Sequence, residues 1–266
     1  MTLPKDLIMV RHGQSEANIV QKDIRYETVR PEGFATRHDS YMRLSPLGVT
    51  QAISTGNWLR ENGLDNHGAY YVSPHTRAME TAGNLALGGD WVIDDLWRER
   101  DWGEYGAAYS QKEQAEKYPH SFAMKSQNPW YWKPVGGESL ATGVRARFNM
   151  AFSAMNRLEN VESVIGVAHG EFLAVARFVL ERMTPYDWIA MDSDPRFTIK
   201  NGMVLHYSRQ DPNTGELSHR FRFRRMICPW DDSFSLNGGE WETLKTPKFN
   251  DKELLEFADR HPRLIV

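Results

Sequence analysis

LIMVRHGQSEAN, residues 7–18, is an apolar run that ends abruptly in Arg11, His12 and Gly13. A short continuous apolar run predicts a β-strand that is buried on both faces, as in a parallel sheet covered by helices. Open α/β sheets bind their ligands at the carboxyl ends of the strands. The cation, the titratable ring and the glycine therefore indicate a ligand site at the end of this strand.

Two further buried strands are predicted, and each also ends in polar residues. The run AYYVS (69–73) is followed by PHTR (74–77), and the apolar residues 163–168 are followed by HGE (169–171). If the three strands are parallel neighbours, their carboxyl ends meet at one edge of the sheet. Guanidinium groups match the oxygens of a phosphate, and an imidazole can donate to that group or attack it. We therefore expect four side chains to converge on one oxyanion: Arg11, His12, Arg77 and His169.

Predicted strands and helices alternate along the chain, which indicates an α/β fold. We expect a three-layer α/β/α sandwich with a mostly parallel central sheet, and with loops and helices inserted over the carboxyl ends of the strands. Residues 203–207 and 221–227 are interpreted as strands at the sheet edge. The prediction is a single domain over residues 1–266 with insertions at about 20–44 and 104–135 and a C-terminal extension at about 228–266.

The composition excludes some partners. Lys plus Arg (32) against Asp plus Glu (35) gives a net charge of −3, so the whole chain does not attract nucleic acid or an anionic membrane. Cys228 is the only cysteine, which fits a reducing cytoplasm. Residues 1–6 lack the apolar core of a signal peptide, and charges interrupt the apolar residues 164–180. We expect a cytoplasmic protein with no nucleic-acid or membrane partner, and homo-oligomerisation stays open.

Five sequence blocks, in order, resemble the signature of the histidine phosphatase superfamily, also called the phosphoglycerate mutase-like family. They are LIMVRHG, RLSPLGVTQA (43–52), YVSPHTRAMETA, LWRERDWGEYG (96–106) and VIGVAHGE. The similarity extends from about Leu7 to Met183. One tripeptide alone is weak support, whereas five blocks in the expected order are specific.

The resemblance implies that His12 attacks a phosphoryl group and forms a phosphohistidine that water then cleaves. Arg11, Arg77 and His169 would stabilise the charge on the equatorial oxygens of the transition state. Asn18 would add a phosphate donor, although a plain surface position on a helix is the alternative. Gly13 would let the backbone pass close to the ligand and fix the His12 ring through a carbonyl that accepts from one ring nitrogen.

The resemblance also implies an acid that protonates the leaving group, and Glu99 lies where the family carries it. Trp97 and Trp102 flank Glu99 in the sequence, and an apolar surrounding raises the pKa of a carboxyl group. Asp101 and Glu104 remain rivals for this role.

Other polar residues keep two interpretations. Ser15 is interpreted as a helix cap, and in GGES (136–139) the glycines and Ser139 are explained as a turn and a cap, which leaves Glu138 unassigned. Four residues could reach the pocket or stay in solvent: Arg37, His38, Arg43 and His75.

Neither a metal ion nor a cofactor is expected. His12 and Glu16 have the spacing of a metal pair, but no third ligand has suitable spacing, so we expect metal-free chemistry. The aromatic residues between Trp97 and Trp132, with Tyr105 and Tyr109 among them, could form core or line a lid over the pocket.

Three functions compete within this resemblance: a phosphatase, a phosphoglycerate-type mutase, and a non-catalytic module that only binds phosphate. The cofactor-dependent mutases carry a Trp-Asn pair and a G-W-x-D stretch soon after R-H-G, whereas this chain has SEANIVQKDIRYE (15–27) there. The chain carries both histidines, both arginines and a candidate acid, which disfavours a non-catalytic module. We expect a phosphatase that acts on a phosphorylated small molecule.

Overall fold

A single sheet forms the centre of the molecule in the computed structural model, which describes residues 3–22, 30–106 and 111–265. Its strands are β1 (Asp6–Arg11), β2 (Ala69–Val72), β3 (Trp91–Ile93), β4 (Ser163–Ala168), β5 (Val204–Ser208), β6 (Phe223–Ile227) and β7 (Glu242–Thr243). The strand order across the sheet is β3-β2-β4-β1-β5-β6-β7. Strands β1 to β4 pair in parallel, and β5 to β7 extend the sheet in antiparallel pairs. The α/β prediction is confirmed, and the sheet is mixed.

Helices connect the strands and cover the sheet. They are α1 (Glu16–Lys22), α2 (Pro46–Glu61), α3 (Thr76–Leu85), α4 (Gln111–Lys117), α5 (Pro119–Gln127), α6 (Arg145–Met155), α7 (Gly170–Leu180), α8 (Pro185–Asp192) and α9 (Asp251–Ala258). Ser45 caps α2 by accepting from the backbone N–H of Gly48 at 3.1 Å, with Pro46 in the first turn. Within the described part of the chain, no helix is both long and apolar enough to cross a bilayer.

The central strands are buried on both faces. Leu7 and Met9 of β1 pack into the larger hydrophobic core, while Ile8 and Val10 pack into a second core on the opposite face. This alternation follows from the two-residue period of a strand and requires helices on both sides of the sheet. The continuous apolar run therefore predicted the layering correctly.

Two sequence expectations differ from the structure. Neither β5 nor β6 lies at the sheet edge: β5 pairs with β1 and β6, and β6 pairs with β5 and the short β7. All five residues of β5 are buried. Its apolar sequence reflects this interior position. The helix expected after Ser139 starts with a π-helical turn (Leu140–Val144) before α6, although Ser139 does cap it by accepting from the backbone of Thr142 at 3.2 Å.

Trp97 packs directly against the backbone of the sheet. Its indole ring stacks on Tyr71 with ring centroids 5.5 Å apart and lies over Gly166 in the middle of β4. A Cβ atom at Gly166 would lie 2.1 Å from Cζ3 of Trp97, so only glycine fits there. This contact anchors the segment that leads from β3 to Glu99.

We expect Gly166→Ala to destabilise the fold by about 1–3 kcal/mol, because the new methyl group overpacks against Trp97. Urea denaturation of both proteins measures the difference. Gly83→Ala in α3 is the matched control, since nothing lies within 4 Å of the added methyl group. A wild-type midpoint for Gly166→Ala would contradict the close packing.

Candidate active site

The carboxyl ends of β1, β4 and β2 bring three of the sequence blocks to one edge of the sheet. The ring centroids of His12 and His169 are 5.0 Å apart, and those of His75 and His169 are 4.7 Å apart. Arg77, in the first turn of α3, is buried. A cavity of about 1040 Å³ opens beside this cluster and is lined in part by Arg11, His12, His75 and Arg77, whereas the fully buried His169 is not among its lining residues.

The His12 ring is held in one orientation. Its Nδ1 lies 2.6 Å from the carbonyl oxygen of Gly13, and a carbonyl only accepts, so Nδ1 carries the proton. Burial, with the charges of Arg77 and Arg11, lowers the pKa of His12 well below the ordinary histidine value. The ring is therefore neutral at pH 7 and keeps a lone pair on Nε2, which suits a nucleophile.

Gly13 is required for close packing of the backbone. A Cβ atom there would lie 2.2 Å from the carbonyl oxygen of Gly48, and one at Gly48 would lie 2.0 Å from the carbonyl oxygen of Gln14. The expected ring-fixing carbonyl is present at Gly13. The backbone that packs against Gly13 is the first turn of α2. Gly13 and Gly48 are both required because a side chain at either position would collide with the opposite backbone.

His169 is connected to the end of β2. Its Nε2 lies 2.7 Å from the hydroxyl oxygen of Ser73, which accepts from the backbone N–H of His75 at 3.3 Å. A hydroxyl that accepts from His75 can donate its proton to Nε2, which leaves the proton of the neutral ring on Nδ1. Nδ1 is buried and has no partner among the described residues, so it is available to donate to a bound oxyanion.

The two arginines differ in what they contact. Arg11 donates from Nη1 to the carbonyl oxygen of Ile199 at 2.5 Å, and its buried Nε has no partner within the described chain. Arg77 donates to the carbonyl oxygen of Asp39 at 2.7 Å and to its carboxylate at 2.8 Å. Asp39, which the sequence did not indicate, therefore occupies donors of Arg77 that suit an anion.

Glu99 is held at the start of α7. Its Oε1 accepts from the backbone N–H of Arg100 at 2.9 Å and from that of Phe172 at 3.3 Å. Burial raises the pKa of Glu99, and the charges of Arg77 and Arg11 oppose the rise. A carboxyl group that stays protonated to higher pH is suited to act as an acid.

The two rivals of Glu99 differ in position. Asp101 lines the cavity, and its carboxylate accepts from the backbone N–H of Gly103 at 2.8 Å. Glu104 is exposed, is bound by Lys117 and Tyr118, and is not among the lining residues. Glu99 lies close enough to Arg77 and Arg11 for their charges to lower its pKa against the effect of burial.

Asn18 and Ser15 cap α1 together. The Ser15 hydroxyl accepts from the backbone of Asn18 at 3.3 Å, and the Asn18 carbonyl oxygen accepts from the backbone of Ser15 at 3.2 Å. The same oxygen accepts from Asn201 at 3.0 Å, and Asn201 also donates to the carbonyl oxygen of His12 at 3.0 Å. Asn18 lines the cavity with its amide nitrogen still available as a donor. Sequence reasoning missed Asn201.

The loop residues with open interpretations separate into two groups. Arg37, His38 and His75 line the cavity, whereas Arg43 is exposed and paired with Glu80. Glu16 accepts from Arg37 at 3.2 Å and so forms no pair with His12. The described residues contain no group of three or more His, Cys, Asp or Glu side chains that could hold a metal ion.

The aromatic residues between Trp97 and Trp132 contribute both to the core and to the lining of the cavity. Trp97 and Trp130 are fully buried in the core, whereas Trp102 lines the cavity. Tyr109 lies outside the described residues. Lys125 of α5 also lines the cavity, with its ammonium nitrogen 5.5 Å from the ring centroid of Trp102.

The cavity is basic although the chain is slightly acidic. Its described lining contains eight Arg and Lys against five Asp and Glu. One of the acids, Glu171, has its pKa raised to about 7, chiefly by burial. The local excess of positive charge suits an anionic ligand.

The family model for the histidine phosphatase superfamily (branch 1) matches residues 7–199. Among curated proteins, a 2,3-bisphosphoglycerate-dependent phosphoglycerate mutase of Allorhizobium ampelinum is 29% identical over 187 residues, which cover 67% of this chain and 80% of the mutase.

Among solved structures, the α-ribazole phosphatase of Shigella flexneri matches with a TM-score of 0.62 at 14% identity, covering 81% of this chain and 96% of that one. A phosphoserine phosphatase mutant of Entamoeba histolytica in complex with phosphoserine matches with a TM-score of 0.59 at 19% identity, covering 79% and 92%. At these identities the likeness shows the fold. The fold, the converging strand ends and the family match agree, and this chain belongs to the histidine phosphatase superfamily, a family of enzymes.

Proposed function

We propose that this chain is a phosphatase that hydrolyses phosphate monoesters of a small molecule through a phosphohistidine on His12, without a metal ion. The observation that carries the proposal is the neutral His12 ring, fixed by Gly13, inside a basic cavity. A neutral imidazole with a free Nε2 is a nucleophile, and the surrounding guanidinium groups attract the phosphate that it attacks.

The proposed reaction has two steps. In the first, Nε2 of His12 attacks phosphorus, the ester bond breaks, and Glu99 donates its proton to the leaving oxygen. In the second, the ionised Glu99 takes a proton from water, which attacks phosphorus and breaks the phosphorus–nitrogen bond. Three residues would donate to the equatorial oxygens in both steps: Arg11, Arg77 and His169. Asn18 would add a further donor.

A mutase is the second candidate, because the curated relative named above is a phosphoglycerate mutase. A mutase returns the phosphoryl group to a second hydroxyl of its substrate, whereas a phosphatase gives it to water. Residues 15–27 of this chain lack the Trp-Asn and G-W-x-D features of the cofactor-dependent mutases, which favours hydrolysis. Incubation with 3-phosphoglycerate separates the two: inorganic phosphate supports the phosphatase, and 2-phosphoglycerate supports the mutase.

We expect the His12→Ala variant to lose all measurable turnover of p-nitrophenyl phosphate in the presence of EDTA, because the proposed reaction passes the phosphoryl group through Nε2 of His12. Release of p-nitrophenolate is measured by absorbance. His219→Ala, at an exposed position, is the control and should keep wild-type activity. Full activity of His12→Ala would refute the nucleophile.

The pH dependence should report both titrating groups. Activity on an alkyl phosphate should rise at low pH as His12 loses its proton below the ordinary histidine pKa. Activity should fall again as Glu99 loses its proton above the ordinary carboxyl pKa. Glu99→Gln should lower kcat/KM about 100-fold or more for this substrate and remove the alkaline fall.

Glu171→Gln is the control for this pH profile, because Glu171 also titrates above the ordinary carboxyl range, with a pKa of about 7. The alkaline fall should persist in this variant. If Glu171→Gln removes the fall and Glu99→Gln does not, Glu99 is not the acid.

Asp39→Asn should tighten inhibition by inorganic phosphate. The Asp39 carboxylate holds the Arg77 guanidinium at 2.8 Å and competes with phosphate for it. Removal of its charge should lower the inhibition constant about tenfold, which corresponds to about 1.4 kcal/mol. Asp65→Asn, at an exposed position, is the control. An unchanged or higher constant for Asp39→Asn would show that Asp39 does not compete.

A further inference from the structure

Glu138 of the GGES stretch is the polar residue that the sequence left unassigned, and its surroundings suggest a purpose. We propose that Glu138 and Arg147 form a positioning pair that holds the backbone on both sides of Glu99, so that its carboxyl group stays aimed at the leaving group. This inference rests on the proposed function, since it assigns a partner to the proposed acid.

Arg147 contacts the main chain around Glu99. From α6, its Nη1 donates to the carbonyl oxygens of Leu96 and Arg98, at 3.1 and 2.9 Å. Its Nη2 donates to the carbonyl oxygen of Glu99 itself at 3.3 Å. One buried guanidinium therefore binds three carbonyl groups on this segment, which begins with a 3-10 turn (Asp95–Trp97) and continues as irregular backbone through Glu99.

Glu138 completes the arrangement from the other side. Its carboxylate accepts from Nη2 of Arg147 at 2.8 Å, from Nη2 of Arg98 at 2.8 Å and from the backbone N–H of Asp101 at 3.1 Å. Its own carbonyl oxygen accepts from Nε of Arg100 at 2.8 Å. Glu138 thus binds groups both before and after Glu99 and pairs with two guanidinium groups beside it.

The two backbone segments also lie in direct contact. A Cβ atom at Gly137 would lie 2.3 Å from the carbonyl oxygen of Asp101, and one at Gly103 would lie 2.1 Å from that of Val135. The backbone of Glu138 donates to the carbonyl oxygen of Asp101 at 2.8 Å. Gly137 and Gly103 allow the two backbone segments to lie this close, and the hydrogen bond from the Glu138 backbone joins them.

Neither Glu138 nor Arg147 lines the cavity, so they act through the lining segment that they hold, which includes Glu99. The leaving group of p-nitrophenyl phosphate is a weak base and needs little protonation, whereas an alkoxide needs an acid. A residue that positions the acid therefore affects alkyl phosphates selectively. General damage to the fold would lower both activities together.

The test measures kcat/KM, which covers the steps up to release of the leaving group, for p-nitrophenyl phosphate and for the alkyl phosphate that the wild type hydrolyses fastest. We expect Glu138→Gln to lower the value for the alkyl phosphate about 10- to 100-fold and to change that for p-nitrophenyl phosphate by less than about threefold. In the Glu99→Gln background, Glu138→Gln should add little further loss. Arg147→Lys carries the same expectation and is used if Glu138→Gln does not fold.

Glu181→Gln is the matched control. Glu181 is a buried carboxylate that binds Arg177 at 2.9 Å and Arg224 at 2.8 Å, away from the cavity lining. Glu181→Gln should lower the thermal stability without changing the ratio of the kcat/KM values for the two esters. The proposal is overturned if Glu138→Gln lowers both activities equally, lowers neither, or adds its full loss to that of Glu99→Gln. A wild type inactive on both esters would instead overturn the proposed function.

Discussion

The structure depends on the parallel pairing of β1, β4 and β2, because this pairing alone brings distant residues to one edge of the sheet. His12 follows β1, His169 follows β4 and Arg77 lies just beyond β2. β1 and β4 are buried on both faces, so they reach a ligand through the residues at their ends. The site is therefore a consequence of the layering, and the layering follows from the apolar sequences of the strands.

Burial of cationic and titratable groups at that edge gives the site its chemical character. Desolvation favours the neutral form of His12 and raises the pKa of Glu99, while the nearby guanidinium groups keep the cavity attractive to anions. The site thus combines a neutral imidazole, a carboxyl group that stays protonated to higher pH, and fixed positive charge. These properties are coupled, because a more solvated cavity would weaken all of them together.

The sequence predicted the parts of the molecule that follow from local pattern. The buried strands, the caps at Ser15 and Ser139, and the convergence of the strand ends all depend on periodicity or on short motifs. The pairing of β5 inside the sheet did not follow, because an apolar segment fits an interior and an edge position equally well. The contacts of Asp39, Asn201 and Glu138 also escaped prediction, since they join residues far apart in the chain through loops without periodicity.

The central claim is that His12 carries the phosphoryl group, and rapid quenching tests it most directly. Wild-type protein is mixed with substrate, stopped at alkaline pH within one turnover and digested, and the peptide that contains His12 is analysed by mass spectrometry. The account predicts a phosphoryl group on the imidazole of His12 that disappears as turnover is completed. Hydrolysis that proceeds with an unmodified His12, or with the phosphoryl group on another residue, would contradict it.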